Sequence, residues 1–482
     1  MLIAALPDAG KDTSALLSAC GLSSRLELQD GEDVGEALHA RWLPAARVCS
    51  LSASDSYYFE PPGAAVISPV NEAAALGLLL HVLRDNEAGL AAVKATCCKL
   101  PSSDGVRGEP CSDCASLIEA ARGCGVVTSL TPALFAGLRG AAASHALQPG
   151  DIVAEVPATA LLTAATARAC TRLAPVLESL GADDDVAVLL WTMLERADKL
   201  SAHAAMLALN GASLGSALTM PEEALRAVEG TAMHAEAMKL RDAARTQYDS
   251  LFPALLVAWQ NLLSPASAFT FEHYLAAVEL WQAYGMKVQL PGTATPQTAL
   301  MPFVCLLNHS AVAPHVVRFS QPDADGVFRL RTVRPCAAGC EVTLSYGALS
   351  NSHLLLYYGF TVPDNPCDAV EFQVDTPFGD DDDEGEHHQL RAACPLPWRL
   401  LETLRLLCAP SPGEDGPEGD AAALAALSDV LAALSQGMPP PPTASTPALG
   451  HIASIVSSQH SIVGAAEAEC RRRQLLLLPV II

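Results

Sequence analysis

Cationic residues are scarce in this chain of 482 residues. It carries 29 lysines and arginines against 53 aspartates and glutamates, which gives a formal net charge of −24 at pH 7. Because DNA- and RNA-binding proteins need clustered cations to contact phosphate, this composition excludes a general nucleic-acid-binding role. An acidic surface would instead attract a basic peptide or protein.

Long hydrophobic runs are also missing. The last apolar stretch, Leu475 to Ile482, is far shorter than the roughly 20 residues that a membrane-spanning helix needs. The first residues, Met1 to Pro7, lack the preceding positive charge and the small-residue cleavage pattern of a secretory signal. We therefore expect no membrane partner and an intracellular location, in the cytoplasm or the nucleus.

Cysteines are too few, at 15, for a disulfide scaffold in a chain of this length. Zinc is an alternative in the first quarter of the sequence, because Cys111 and Cys114 form a C-x-x-C pair. The candidate partners of this pair on either side are Cys97, Cys98 and Cys124. Only the one pair has the spacing of a zinc knuckle, so free thiols are the favoured interpretation and we predict no metal site.

Charged residues make up 17% of the chain and apolar residues 50%, so it can bury large cores, and its length predicts about three domains. Residues 1–125 have no assignment. Residues 151–157 alternate like a strand, and Thr270 has the position of a helix N-cap. The acidic run 380–384 predicts a solvated loop. Further elements are predicted as amphipathic helices over 183–259, 270–281, 420–434 and 452–478, and as short strands over 301–307, 316–319, 327–333 and 341–346.

The most informative stretch runs from Met301 to Phe360. It contains, in this order, Asn308-His309, the run from Glu341 to Gly347 with Tyr346 inside it, Ser350-Asn351 and Tyr358-Gly359-Phe360. Each piece alone is more often a structural cap or turn than a functional motif. Together, and preceded by Leu138-Arg139-Gly140 and the run from Leu147 to Pro157, they resemble the SET-domain protein methyltransferases. The closest resemblance is to the subgroup typified by the Rubisco large-subunit lysine methyltransferase.

The resemblance implies an α+β fold. A SET core of small, mostly antiparallel sheets would contain a pseudoknot-like threading of the chain between Asn308 and Tyr346. The SET domain would cover residues 126–365, with a helical insert at about 160–290. Residues 366–482 would form a diverged helical lobe like the substrate-binding domain of the Rubisco methyltransferases, with a Pro- and Gly-rich linker.

The same resemblance implies a methyltransferase that uses S-adenosyl-L-methionine and acts on a lysine side chain of a non-histone protein. Tyr346 would be the catalytic residue. Tyr358 and Met286 would line the substrate channel, where the π face of a tyrosine favours a cationic side chain. The cofactor-binding residues would be Leu138, Arg139, Gly140, Cys305, Leu306, Leu307, Asn308, His309, Tyr358, Gly359 and Phe360. We expect a monomer whose partner is the protein substrate, and relatives in plastids leave that compartment open as well.

Some positions depart from the family pattern. Cys305 stands where relatives carry an aspartate, and Gly285-Met286 stand where they carry serine or threonine followed by arginine. Leu349 replaces a residue that is often basic. These departures keep two alternatives open: a histidine methyltransferase, and a binding or scaffold protein that has the SET fold but a weakened catalytic activity.

Overall fold

The computed structural model of the protein describes residues 94, 107–111, 114–198, 200–211, 213–317, 322–375, 386–392, 394–408 and 417–477. The predictions for Cys97, Cys98 and the acidic run 380–384 lie outside the described residues. Among the residues that are described, no helix is both long enough and apolar enough to span a membrane.

Short strands form four small sheets in the described part of the chain. In order they are β1 (Glu109–Pro110), β2 (Val127–Thr128), β3 (Leu130–Phe135), β4 (Leu138–Ala143), β5 (Ile152–Pro157), β6 (Leu162–Thr163), β7 (Met286–Val288), β8 (Gln297–Leu300), β9 (Val316–Val317), β10 (Val327–Thr332), β11 (Val370–Val374) and β12 (Glu386–Leu390). The sheets have the strand orders β1-β3-β4, β2-β5-β10-β9, β6-β8-β7 and β11-β12. Every pairing between these strands is antiparallel.

Most helices lie between β6 and β7 or after β12, whereas one lies between β1 and β2 and another between β10 and β11. In order they are α1 (Ala115–Gly123), α2 (Ala164–Ala169), α3 (Ala174–Leu180), α4 (Asp184–Ala197), α5 (Ala204–Leu207), α6 (Glu222–Arg226), α7 (Ala232–Ala258), α8 (Phe271–Tyr284), α9 (Asn351–Tyr358), α10 (Trp398–Cys408), α11 (Pro417–Gly437) and α12 (Pro447–Leu477). Thr270 caps α8 as predicted, since its side chain accepts a hydrogen bond from the backbone N–H of His273. The mixture of helices and small sheets confirms the predicted α+β class.

The segment 341–346 passes between two other parts of the chain and is hydrogen-bonded to both. On one side, the N–H of Val342 donates to the carbonyl of Ala141 in β4 at 2.8 Å. On the other side, the N–H of Leu344 donates to the carbonyl of Asn308 at 2.8 Å. A chain that passes between β4 and the segment after β8 in this way has the threading that the resemblance implies.

The prediction of a strand over 301–307 is wrong. The strand β8 ends at Leu300, and a 3-10 helix covers Val304–Leu306. Pro302 has no N–H to donate to a sheet, and Phe303 adopts a left-handed φ of 70°. All residues of the run are buried, so its hydrophobicity reports burial without distinguishing a strand from a helical turn.

Two compact units make up the chain. Of the described residues, the first unit contains those within 107–211 and 248–348. The second unit contains those within 213–247 and 349–477. The second unit therefore contains residues 213–247 of the predicted insert and the described residues from Leu349 onward.

Each unit has its own buried core. In the first, Ala154 and Val156 of β5 are buried opposite their paired residues Leu330 and Phe328 of β10, on one face of a sheet. In the second, one cluster joins α10, α11 and α12 around Leu427. A second cluster joins α6, α9 and the first turns of α12 around Leu355. The helix α12 therefore contributes to both clusters of the second unit.

Candidate active site

The amide side chain of Asn308 joins three segments of the first unit. Its Nδ2 atom donates to the backbone carbonyl of Arg139 at 2.9 Å and to Oε1 of Glu341 at 2.8 Å. Burial raises the pKa of Glu341, and the hydrogen bond from Asn308 opposes that rise. Both amide protons are used in these contacts, so Oδ1 is the atom with which Asn308 can accept a hydrogen bond from a ligand.

Gly140 is packed closely against this amide. A Cβ atom at position 140 would lie 2.7 Å from Oε1 of Glu341 and 2.9 Å from Nδ2 of Asn308. Both distances are shorter than van der Waals contact, so a side chain would push these groups apart. The resemblance implies that Gly140 binds the cofactor, and the structure adds a separate requirement for a glycine here, which is the close approach of Asn308 and Glu341.

Tyr346 is held through both its hydroxyl and its backbone. The hydroxyl donates to the carbonyl of Leu307 at 2.9 Å, and the backbone N–H donates to Nδ1 of His309 at 3.0 Å. Since Nδ1 accepts, the neutral imidazole carries its proton on Nε2. Burial lowers the pKa of His309 to about 4, which keeps the ring neutral at pH 7.

The guanidinium of Arg139 contacts a different set of groups from its backbone carbonyl. It donates to the carbonyl of Leu209, and its positive charge acts on the hydroxyl of Tyr284 and on the thiol of Cys114. Burial raises the pKa of Tyr284, and the positive charge of Arg139 opposes that rise. Tyr284 was not predicted as a site residue, because an aromatic residue at the end of an amphipathic helix is usually part of a core.

The departures from the family pattern lie close together. The thiol of Cys305 lies 3.9 Å from the carbonyl oxygen of Tyr284, the residue before Gly285. No side chain fits at position 285, because a Cβ atom there would collide with the carbonyl oxygen of Trp281. Met286 is buried in β7, with 6% of its surface exposed. The positions where relatives carry opposite charges are therefore occupied by a thiol and a buried thioether in one region of the first unit.

The predicted residues Tyr358, Gly359 and Phe360 belong to the second unit. Gly359 ends α9 with a left-handed φ of 77°, and a Cβ atom there would collide with the carbonyl oxygen of Leu214. The rings of Tyr358 and Phe360 pack edge to face, with centroids 6.3 Å apart. The glycine is therefore required by both its backbone conformation and its packing.

Asn351 fixes the chain that follows α9. Its backbone N–H donates to Oδ1 of Asp368 at 3.0 Å. Its amide donates to the carbonyl of Val362 at 3.0 Å and accepts from the N–H of Val362 at 2.8 Å. These contacts give the Ser350-Asn351 motif a structural role: Ser350 caps the helix and Asn351 holds the following loop.

The predicted site residues fall into two groups. Those that share the first unit are Leu138, Arg139, Gly140, Met286, Cys305, Leu306, Leu307, Asn308, His309 and Tyr346. The side chain of Leu138 is exposed, so this residue enters the region only through the backbone of β4. Glu341 was part of the quoted motif but not a predicted site residue, and it is the partner that orients Asn308.

No group of three or more His, Cys, Asp or Glu side chains that could hold a metal ion occurs among the described residues. Cys111 and Cys114 lie near each other, whereas the exposed Cys124 follows the other end of α1. The described cysteines therefore do not assemble the zinc site that the sequence left as an alternative.

Solved structures share this architecture. The SET domain of LSMT bound to lysine and AdoHcy superposes with a TM-score of 0.59 at 16% identity, covering 76% of this chain and 92% of that chain. Rubisco LSMT bound to AdoMet gives a TM-score of 0.56 at 15% identity, covering 76% of this chain and 93% of that chain. The chain has the SET-domain fold. The resemblance stated from the sequence is thereby confirmed.

Curated proteins with similar sequences support the same relationship, although no protein-family model matches this SET-domain chain. SET domain-containing protein 4 of Artemia parthenogenetica is 22% identical over 240 residues, which is 49% of this chain and 58% of that protein. The N-lysine methyltransferase SETD6 of Bos taurus is 27% identical over 247 residues, 49% of this chain and 54% of that protein. The ribosomal lysine N-methyltransferase set10 of Schizosaccharomyces pombe is 30% identical over 112 residues, 23% of this chain and 20% of that protein. The chain thus spans between 20% and 58% of the length of these relatives.

Replacing Gly140 with alanine is expected to destabilise the SET domain by about 1–3 kcal/mol, because the added methyl group overlaps Asn308 and Glu341. Thermal unfolding of the purified chain measures this as a lower Tm. Gly123→Ala is the matched control, since a Cβ atom at that end of α1 meets nothing within 4 Å. Equal effects of the two substitutions would contradict the close packing inferred at Gly140.

The stability of the protein is expected to decrease as the pH falls from about 6.5 towards 4. His309 and His315 have pKa values of about 4 in the folded chain because both are buried, against an ordinary value of 6.5. The unfolded chain therefore binds protons first, and each imidazole lowers the free energy of unfolding by roughly 1.4 kcal/mol per pH unit in this window.

Thermal unfolding followed by circular dichroism between about pH 7 and 5 tests this dependence. His315 accepts the N–H of Thr343 at 3.2 Å, and in His315→Gln an amide oxygen can take over that role without titrating. The variant should show a shallower loss of Tm with acid than the natural chain. A Tm that stays constant over this range in the natural chain would show that the two histidines do not titrate as inferred.

Proposed function

We propose that this SET-domain chain transfers a methyl group from S-adenosylmethionine to a lysine side chain of a non-histone protein. The observation that carries the proposal is the arrangement in the first unit, where the amide of Asn308, the backbone of Arg139 and Gly140, and the hydroxyl of Tyr346 are positioned by specific hydrogen bonds. Two of the curated relatives are named lysine methyltransferases, and the LSMT structures contain AdoHcy or AdoMet. These names support the reaction class for this chain.

The residues of the first unit fit such a cofactor. With its Nδ2 protons donated to Arg139 and Glu341, Asn308 presents Oδ1 as an acceptor for the ammonium group at the amino-acid end of the cofactor. The absence of a side chain at Gly140 lets Asn308 approach β4 closely enough to donate to the carbonyl of Arg139. When bound, the cofactor supplies an electrophilic methyl group on a positively charged sulfonium.

Tyr346 is suited to orient the reacting groups. Because its hydroxyl proton is donated to the carbonyl of Leu307, the lone pairs of its oxygen point away from that carbonyl and can accept. An acceptor oxygen stabilises a methyl group that carries partial positive charge, and holding it in place lowers the entropic part of the barrier. The neutral His309 contributes by fixing the backbone of Tyr346 through Nδ1.

Lysine is the acceptor that the relatives' names favour, and Met286 is the residue of the first unit that we assign to the substrate channel. The target amine must lose its proton before it can attack, and burial in an apolar channel would lower its pKa. The net charge of −24 favours a basic protein as the substrate. A histidine acceptor would require a different shape at the same end of the channel, and peptide mapping of the methylated product by mass spectrometry distinguishes the two.

A binding or scaffold protein without turnover is the second candidate, favoured by Cys305 and Met286. Relatives carry an acidic and a basic residue at these positions, so this chain has lost one charge of each sign in the same region. If only one of two paired charges were removed, the other would stay buried without a counter-charge and would strongly destabilise the fold. Removing both avoids that loss of stability. The paired loss therefore explains how the SET fold stays stable without these charges, in an enzyme and in a scaffold protein alike.

Cofactor binding should separate these candidates. Isothermal titration of the full chain with S-adenosylmethionine is expected to give a micromolar Kd, and Asn308→Ala should weaken it at least about tenfold, or about 1.4 kcal/mol. The Tm of Asn308→Ala without ligand shows whether this variant is folded. Asn308→Asp, which cannot donate to Glu341, should weaken cofactor binding to a similar extent. If the natural chain binds no cofactor at millimolar concentration, the scaffold protein is the better conclusion.

Tyr346→Phe should reduce methyl transfer roughly 100-fold while leaving the cofactor Kd within about twofold, because the hydroxyl acts on positioning. Incorporation of radiolabelled methyl groups into two acceptor mixtures, ribosomal proteins and core histones, measures both the rate and the class of substrate. The matched control is Tyr248→Phe, which also removes a hydroxyl that donates to a backbone carbonyl, that of Phe269 at 2.8 Å. Equal rates for the natural chain and Tyr346→Phe would exclude the proposed role of this hydroxyl.

A further inference from the structure

Two cysteine sulfur atoms lie in contact at the start of the described chain. Cys111 follows β1 and Cys114 immediately precedes α1, and their Sγ atoms are 3.1 Å apart. Cys114 is buried, with 2% of its surface exposed, whereas Cys111 is partly exposed. One sulfur of the pair can therefore be reached from solvent and the other is covered by protein.

The distance between the two Sγ atoms is only slightly longer than a disulfide bond. A disulfide needs about 2.05 Å between its sulfur atoms, so a movement of about 1 Å would suffice. Burial and the hydrogen bond with Cys111 raise the pKa of the Cys114 thiol to about 11, while Arg139 opposes the rise. Cys114 is therefore protonated at neutral pH, and the sulfur that meets a dissolved oxidant first is that of the partly exposed Cys111.

Arg139 connects this pair to the proposed cofactor site. Cys111 follows β1, in which Glu109 lies opposite Leu134 of β3, and Leu134 in turn lies opposite Arg139 of β4. The backbone carbonyl of Arg139 accepts a hydrogen bond from the amide of Asn308 at 2.9 Å. A displacement of Cys111 on disulfide formation can therefore reach Asn308 through these two strand pairings. All of these residues belong to the first unit.

We propose that Cys111 and Cys114 are a redox-active modification site, which forms a reversible disulfide and thereby weakens cofactor binding through Arg139. The disulfide itself stands on the geometry of the pair alone. The coupling to the cofactor rests on the proposed function.

The reaction with a peroxide oxidant is balanced as follows. The Cys111 thiolate attacks one peroxide oxygen, so that a sulfur–oxygen bond forms, the oxygen–oxygen bond breaks, and one water is released after proton uptake. The sulfur of Cys114 then attacks the sulfur of Cys111, a sulfur–sulfur bond forms, and the oxygen leaves as a second water with the proton of Cys114. The two sulfurs together lose two electrons, which reduce the peroxide, and a dithiol reductant reverses the change.

The test begins with the chemical state of the sulfurs. The full chain is reduced, treated with hydrogen peroxide, alkylated and digested. Mass spectrometry then detects the linked peptide, in which a disulfide joins Cys111 to Cys114. The linked peptide should form and should disappear after dithiothreitol. It should be missing in Cys111→Ser and unchanged in Cys124→Ser, which removes the exposed cysteine at the other end of α1.

The second measurement is the Kd of S-adenosylmethionine for the reduced and the oxidised chain. Oxidation should weaken binding about fivefold in the natural chain and in Cys124→Ser, but not in Cys111→Ser. Free thiols at both positions after peroxide treatment would overturn the proposal, as would bound zinc that is lost in Cys111→Ser. A chain that forms the disulfide but binds no cofactor in either state would support the modification site and overturn the coupling together with the proposed function. A chain that binds cofactor equally well in both states would overturn the coupling alone.

Discussion

The amide of Asn308 is the contact on which the organisation of the candidate site depends. It donates to a carbonyl 169 residues earlier in the chain and to a carboxylate 33 residues later. Bringing such distant segments together costs loop entropy, and only satisfied contacts at the meeting point offset it. Without the amide, the carbonyl of Arg139 and the partly buried Glu341 would both lose a donor. The residue proposed to contact the ligand is thus also the residue that assembles the site.

The neutral state of His309 is a second condition for this geometry. Its Nδ1 can accept the N–H of Tyr346 only while it carries no proton. Burial meets this condition by lowering the pKa to about 4, so no charged partner is needed. The backbone of Tyr346 is therefore held by the buried, neutral His309, and its hydroxyl is held by the carbonyl of Leu307.

The sequence was sufficient to predict the α+β class, the strand β5, the cap at Thr270 and the threading of the chain between Asn308 and Tyr346. These predictions rest on local signals or on motif spacing, which survive in a diverged chain. The 3-10 helix Val304–Leu306 was not predicted, because a fully buried apolar run is compatible with a strand or a helical turn. The role of Glu341 was missed for another reason: its partner Asn308 is 33 residues away, and no local pattern reports that contact.

The C-x-x-C pair shows most clearly what a sequence leaves undecided. The spacing of Cys111 and Cys114 is compatible with zinc, a disulfide or unpaired thiols, and only its lack of a second knuckle favoured free thiols. What distinguishes these uses is the surroundings: in the described part of the chain no third ligand joins the pair, the two sulfurs are 3.1 Å apart, and Cys114 is buried. Arg139 itself was predicted as a cofactor residue from its backbone alone. Its hydrogen bond to the carbonyl of Leu209 and the strand pairings between β1, β3 and β4 depend on the fold, and it is through these pairings that we propose a redox change at the cysteines reaches Asn308.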